Sequence, residues 1–146
     1  LIILGEGPYK GKILHYLKKN NVSSNIILAG SHLNIEDYYN ASDCFVLSSA
    51  WEGFGLVLAE AMACGLPVVS TNAGGCSEVI NNPNLIVPIR DSVKLAEKME
   101  IIYLLSNDER ESLSKENIIK VKRFDINSIS NIWNIIYNSK KKPSIL

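Results

Sequence analysis

The sequence predicts an α/β fold: a doubly wound parallel sheet of about five strands, helices on both faces, and extra helices toward the C-terminus. Three observations carry this. Short apolar runs rich in Val, Ile and Leu alternate with helical stretches from Leu1 to about Leu105, which implies parallel strands joined by right-handed crossovers. Each predicted strand up to Asn72 leads into a glycine-bearing or polar turn, the place where ligands sit in open α/β sheets. Beyond Asp91 the pattern is helical only.

Leu1 to Leu4 is a short apolar strand that ends in Gly5-Glu6-Gly7-Pro8. Gly11 comes one residue late for a dinucleotide fingerprint, and the second strand, Asn25 to Gly30, ends without the acidic residue that holds an NAD ribose. A nicotinamide enzyme is therefore disfavoured. Pro8 suits the first turn of a helix to about Lys19, with Ile13, Leu14 and Leu17 inward and His15 on the exposed side. Ser31-His32-Leu33-Asn34 is the loop after the second strand, and an ordinary exposed loop is the favoured reading of His32. A helix from Ile35 to about Ala41 packs Tyr38 and Tyr39 on one side, and Ser42-Asp43 turns into the third strand, Cys44 to Leu47.

The chain turns on Trp51 to Asn72, W-E-G-F-G-L-V-L-A-E-A-M-A-C-G-L-P-V-V-S-T-N. Gly53 and Gly55 permit a tight turn and close approach of another molecule to the backbone. Leu56 to Cys64 is a short helix, stopped by Gly65 with Pro67 just beyond, and Pro67 to Asn72 is the fourth strand. Ala73-Gly74-Gly75 forms a second glycine turn, expected on the same sheet edge as the first. Glu78 opens a short helix, where the dipole favours a carboxylate. The fifth strand is Leu85 to Ile89, bounded by Pro83 and Pro88.

Asp91 caps a helix to about Leu105 with Val93, Ala96, Met99, Ile102 and Tyr103 on one face. Asn107 or Asp108 starts another, to about Arg123. A last helix from Asp125 carries the stripe Ile126, Ile129, Ile132, Trp133 and Ile136, which suits core or interdomain contact better than a cofactor. Lys140 to Lys142 form a solvated tail whose three charges allow only weak, peripheral membrane association.

Length and composition set limits. The 146 residues, 47% of them hydrophobic, form one domain with a proper core. Cysteines 44, 64 and 76 lack metal-like spacing; Cys44 and Cys64 read as small core hydrophobes, and a reducing, cytoplasmic setting follows. Glu60, Gly65 and Pro67 interrupt the apolar stretch that could suggest a membrane span, and no signal peptide appears. A net charge of zero argues against nucleic acid. Between Asn20 and Ile89 there is no Lys or Arg, whereas Glu36, Asp37, Asp43, Glu52, Glu60 and Glu78 all fall there. The first residue already lies in a strand, so the chain reads as a fragment.

Two glutamates stand out. Leu56, Val57, Ala63 and Cys64 surround Glu60 at helical spacing and leave it no solvated face, so its carboxylate requires a partner. Helical side chains slope toward the N-terminus, which leans Glu60 back to the glycine turn where Glu52 stands. The pair is separated by roughly 10 Å along the axis at ~1.5 Å per residue. The free N–H groups of the helix start lie between them and favour an anion. This arrangement suits a ligand with a central anionic group and hydroxyl-bearing parts at both ends, the shape of a nucleotide-diphosphate sugar. For a lone glutamate, capping the helix or satisfying loop N–H groups is the better reading; both together, flanking Gly-Phe-Gly, favour a site.

The setting E-G-F-G-L-x-x-x-E-A-x-A-x-G-x-P-V-V resembles the signature of the group 1 (family 4) retaining glycosyltransferases, and N-A-G-G-C-S-E-V-I, with Gly74, Gly75 and Glu78, fits the segment that follows it. The resemblance runs from Gly5-Glu6-Gly7-Pro8 to Phe124-Asp125-Ile126. It implies the C-terminal, donor-binding half of an enzyme with two Rossmann-like domains, the GT-B arrangement, whose N-terminal acceptor domain is absent here. It implies that Glu60 binds the donor ribose. It also implies that Glu52, the candidate catalytic residue, with Gly53 and the N–H groups of Phe54, Gly55 and Leu56, handles sugar and diphosphate. His32 and Leu33 become weaker candidates for a nucleobase loop.

The resemblance implies no metal and no cofactor beyond the nucleotide-sugar donor, and a sugar or lipid-linked acceptor in surface polysaccharide or glycolipid synthesis, at the inner membrane face. The family's diphosphate-neutralising Arg and Lys lie upstream of Leu1, so the isolated chain is expected to fold, bind donor weakly and transfer nothing. The rivals are a glycosidase using Glu52 and Glu60, a nucleotide-sugar epimerase of the same architecture, and a non-catalytic nucleotide-binding module.

Overall fold

A computed structural model describes residues 1–139; the lysine tail at Lys140 to Lys142 lies outside the described residues. The chain divides into two compact units, Leu1–Ile35 and Glu36–Leu146. The five predicted strands are all present and pair in parallel within each unit, as a two-stranded sheet in the first and a three-stranded sheet in the second.

In the first unit, β1 (Ile2–Leu4) pairs with β2 (Ile27–Gly30), Ile2 opposite Ile27 and Ile3 opposite Leu28. Gly5, with φ of 108°, carries the chain out of β1, and its N–H donates to the Gly30 carbonyl at 2.7 Å. Helix α1 (Lys10–Lys19) joins the strands. Leu17 is buried and Ile13 half-buried, one above the other at i and i+4, but Leu14 is exposed, contrary to its expected inward position. A two-stranded sheet covers only a narrow stripe of the helix, and Leu14 lies about 100° around it from Ile13, at 3.6 residues per turn.

Helix α2 (Ile35–Asn40) starts at the last residue of the first unit, and the second unit continues with β3 (Phe45–Leu47), α3 (Leu56–Ala63), β4 (Val68–Thr71), α4 (Cys76–Ile80), β5 (Ile86–Val87), α5 (Ser92–Tyr103), α6 (Asn107–Val121) and α7 (Ile126–Asn138). The sheet order is β3-β4-β5. Central β4 is wholly buried, and Leu58 and Met62 of α3 and Val79 and Ile80 of α4 pack in the same core. β5 is shorter than expected. Pro83 is taken up in a 3-10 turn, and Pro88 has no N–H with which to extend the pairing.

The helix ends follow the sequence signals closely. Gly65, with φ of 78°, ends α3 through paired bonds, its N–H to Met62 O and that of Leu66 to Ala61 O, both 3.0 Å. Asp91 caps α5 by accepting from Lys94 N, and Ser106 with Glu109 forms a reciprocal capping box at α6.

Two expected faces differ. In α5 the inward line is Leu95, Met99 and Ile102, while Val93, Ala96 and Tyr103 are exposed. In α7 no residue is buried; Ile126, Ile132, Trp133 and Ile136 are exposed and only Ile129 of the stripe is half-buried, so the stripe adds little to this unit's core. No helix among the described residues is long and apolar enough to cross a membrane.

Candidate functional site

The site is built from backbone before it is built from side chains. β3 and β4 run parallel in register, Leu47 beside Ser70, so their C-terminal ends open on one edge. The two glycine turns that leave this edge touch. The Gly75 N–H donates to the Gly53 carbonyl at 3.0 Å, and a Cβ on Gly74, whose φ is 50°, would stand 1.8 Å from the Glu52 carbonyl oxygen. Only glycine fits that approach. The buried Thr71 hydroxyl ties the first turn to β4 by donating to the Ser49 carbonyl at 2.6 Å. The expectation that both turns share an edge therefore holds within this unit.

Phe54 is packed from behind. Its ring meets Phe124 edge-on at 5.1 Å, and the Arg123 guanidinium stacks on Phe124 at 4.5 Å. Arg123 also donates to the carbonyls of Glu78 and Val79 near the end of α4. The segment Lys122–Phe124 thus contacts both the Gly-Phe-Gly turn and the helix that follows the second turn.

Gly55, with φ of 85°, is the N-cap of α3 and brings no side chain to the helix start. Glu52 does not cap it. One carboxylate oxygen accepts from the Gly53 N–H at 3.2 Å and the other from the Ser49 hydroxyl at 3.3 Å, so Glu52 is folded onto its own turn. The leading N–H groups of α3 keep the partial positive charge that attracts an anion.

Glu60 corrects the sequence reading. It is exposed, not enclosed, because the residues expected to wall it in lie on the open face of α3: Leu56 is 66% accessible, Ala63 is exposed, and Val57 and Cys64 are half-buried. The buried face is instead Leu58, Ala59, Ala61 and Met62, small and apolar enough to lie against the sheet. The expected partner does exist. The Tyr39 hydroxyl donates to Glu60 Oε2 at 3.1 Å. Burial first, and then the Glu60 carboxylate, raise the Tyr39 phenol above its ordinary pKa. The Cys64 thiol is raised as well, by burial and then by Glu36 and Glu60. Cys44 is pushed up to about 11 by burial, against a lowering influence from Arg110.

His32 and Leu33 belong to the first unit, described by itself. Both are exposed, Leu33 at 99%, and the His32 ring lies 2.9 Å from the Ala29 carbonyl through Nε2.

Residues 1–120 match the family model described as Glycosyl transferases group 1. The chain belongs to this family. Among its relatives, N-acetyl-alpha-D-glucosaminyl L-malate synthase of Bacillus anthracis is 34% identical over 75% of this chain, a match that covers 29% of that protein. HepE of Anabaena, solved in complex with UDP-glucose, is 27% identical with a TM-score of 0.75, covering 94% of this chain and 40% of its own. The C-terminal domain of LpcC, a group 1 protein of Francisella tularensis, is 26% identical with a TM-score of 0.75, over 86% of this chain and 69% of that one. The neighbours share the α/β architecture with parallel strands and flanking helices. This chain spans well under half of the first two proteins.

Sequence reasoning missed the supporting residues: Ser49 on the Glu52 carboxylate, Phe124 behind Phe54, and Tyr39 on Glu60. None has a local signal, because each meets its partner through the tertiary fold or by closing a turn. The one available hint was the requirement that a carboxylate on an apolar helix have a donor.

Proposed function

We propose that this chain is the donor-binding domain of a retaining glycosyltransferase that uses a nucleotide-diphosphate sugar. The observation that carries the proposal is the α3 N-terminus: uncapped by any side chain, opening on two touching glycine turns, with Glu52 on one side and Glu60 one helix face along. An anionic diphosphate matches that helix start. Polyhydroxyl groups at either end match the two carboxylates, which accept hydrogen bonds from diols. The UDP-glucose bound by HepE is a ligand of this class.

In this reading the N–H groups of Phe54, Gly55 and Leu56 hold the diphosphate, Glu60 holds the ribose, and Glu52 turns from its own loop donors to the transferred sugar. The bond between the anomeric carbon and the leaving phosphate oxygen breaks. The acceptor oxygen bonds that carbon on the same face, and its proton passes to the leaving phosphate. No metal takes part. The acceptor, a sugar or lipid-linked sugar used for surface polysaccharide or glycolipid, is held by the rest of the protein, working in the cytoplasm.

The test is to supply the full-length protein with UDP-, GDP- and ADP-sugars and candidate acceptors, and to follow nucleotide release and product configuration. Release that depends on acceptor, with the anomeric configuration kept, supports the proposal. Inversion overturns the retaining assignment. Isomerised nucleotide sugar without acceptor points to an epimerase, and hydrolysis of plain glycosides to a glycosidase.

A further inference from the structure

We propose that Tyr39 is a positioning residue for the donor-binding carboxylate: its hydroxyl fixes Glu60 on the open face of α3 in the orientation that receives a vicinal diol. The inference rests on the reading of Glu60 as the ribose-binding residue.

The geometry is unusual for an exposed glutamate. Such a side chain ordinarily samples several rotamers in water, and that freedom is lost when it binds a ligand. Here one oxygen is already held. The Tyr39 hydroxyl stands 3.1 Å from Glu60 Oε2 and 3.3 Å from the Val57 carbonyl, one turn earlier on the same helix. Its single proton favours the carboxylate, the charged and stronger acceptor. Tyr39 itself cannot swing away. It is 4% accessible, and its ring packs edge-on against Phe45 of β3 at 5.5 Å and 85°. A phenol anchored in the core thus reaches to the surface to hold an exposed carboxylate, the only side-chain partner of that carboxylate among the described residues.

The arrangement leaves capacity for a ligand. A carboxylate offers about four lone-pair sites, and Tyr39 occupies one of them. Oε1 and the remaining lone pair of Oε2 can each accept from one hydroxyl of a cis-diol. A phenol is protonated at neutral pH in any case, and burial with the Glu60 carboxylate raises Tyr39 further above its ordinary value, so it remains a donor. Holding the acceptor before the ligand arrives lowers the ordering cost of binding.

The test uses the full-length protein, with UDP, GDP and ADP as first probes and then the 2′,3′-dideoxy form of whichever nucleotide binds. Titrations are made on the parent, Tyr39→Phe, Glu60→Gln and the double variant, with melting curves beside them. Tyr39→Phe keeps the ring and its contact with Phe45 and removes one oxygen. It is expected to weaken the ribonucleotide about tenfold, the lower end of what a hydrogen bond to a charged group is worth. The dideoxy nucleotide should be held as before, so discrimination between the two falls. On the Glu60→Gln background the same change should add less than about twofold, since coupled partners are not additive.

Equal weakening of both nucleotides by Tyr39→Phe would mean general loosening and overturns the positioning role. So would unchanged discrimination in Tyr39→Phe when Glu60→Gln abolishes it. If Glu60→Gln itself leaves discrimination intact, the ribose reading fails instead. Should Tyr39→Phe lower the melting temperature markedly, the comparison of Glu60→Gln with the double variant, both measured below their transitions, still reads the coupling.

Discussion

The turn that carries Glu52 and the helix face that carries Glu60 are adjacent in sequence but are constructed in opposite ways. The turn is held mainly by backbone on backbone, Gly53 against Gly75 and the Glu52 carbonyl against Gly74, with the Ser49 carbonyl held by the Thr71 hydroxyl. Its carboxylate is occupied by donors of the same turn. The helix face is open and largely apolar, and its carboxylate is held by one phenol from the core. A clamped turn can define where a charged diphosphate and a reacting sugar sit. An open face with one fixed acceptor can grip the far end of the ligand without enclosing it. On the proposed reading, geometry at the turn governs chemistry, whereas Glu60 governs affinity.

Changes that break the turn should therefore have the largest effect. Gly74→Ala forces a Cβ into the Glu52 carbonyl at a positive φ. It should destabilise the protein by more than about 3 kcal/mol or push the two turns apart, since strain and overpacking add. Chemical denaturation together with donor titration would register either result. A stable Gly74→Ala protein with unchanged donor affinity would show that the contact between the turns is dispensable.

Glu52→Gln tests the division of labour directly. Turnover should fall roughly a hundredfold, as expected for losing one charge-stabilising group, while free nucleotide binds within about threefold of the parent. Steady-state kinetics and calorimetry on the same preparation separate the two quantities. Glu60→Gln should do the reverse, weakening donor binding by roughly 1–3 kcal/mol with a smaller change in turnover at saturating donor. If the free nucleotide binds Glu60→Gln as well as the parent, the ribose assignment is wrong. Phe124→Leu, which removes the aromatic edge contact behind Phe54 and the ring on which Arg123 stacks, should cost about 1–2 kcal/mol in stability. Its effect on affinity should be the smallest of the four.

Much of this was legible in the sequence. The strand–helix alternation, the glycine turn at Gly53 and Gly55, the stop at Gly65 and the cap at Asp91 all depend on local residues, and all appear where local chemistry puts them. Helix faces were read less well. Leu14, Val93 and Tyr103 are apolar but exposed, because which side of a helix is covered depends on how much sheet lies beneath it. Glu60 shows the same limit. Its apolar helical neighbours suggested burial, yet Leu58, Ala59, Ala61 and Met62 already supply the packed face, and the remaining apolar residues are left open. The need for a donor was readable; that Tyr39 would supply it was not, because the pair is joined only through the tertiary fold.

A structure of the protein crystallised with its nucleotide sugar tests the pairing of the two carboxylates most directly. The ribose hydroxyls should lie within hydrogen-bond distance of Glu60, the diphosphate at the N–H groups of Gly55 and Leu56, and the transferred sugar beside Glu52. A nucleotide bound the other way round, with its sugar at Glu60, or bound away from the α3 N-terminus altogether, would contradict it.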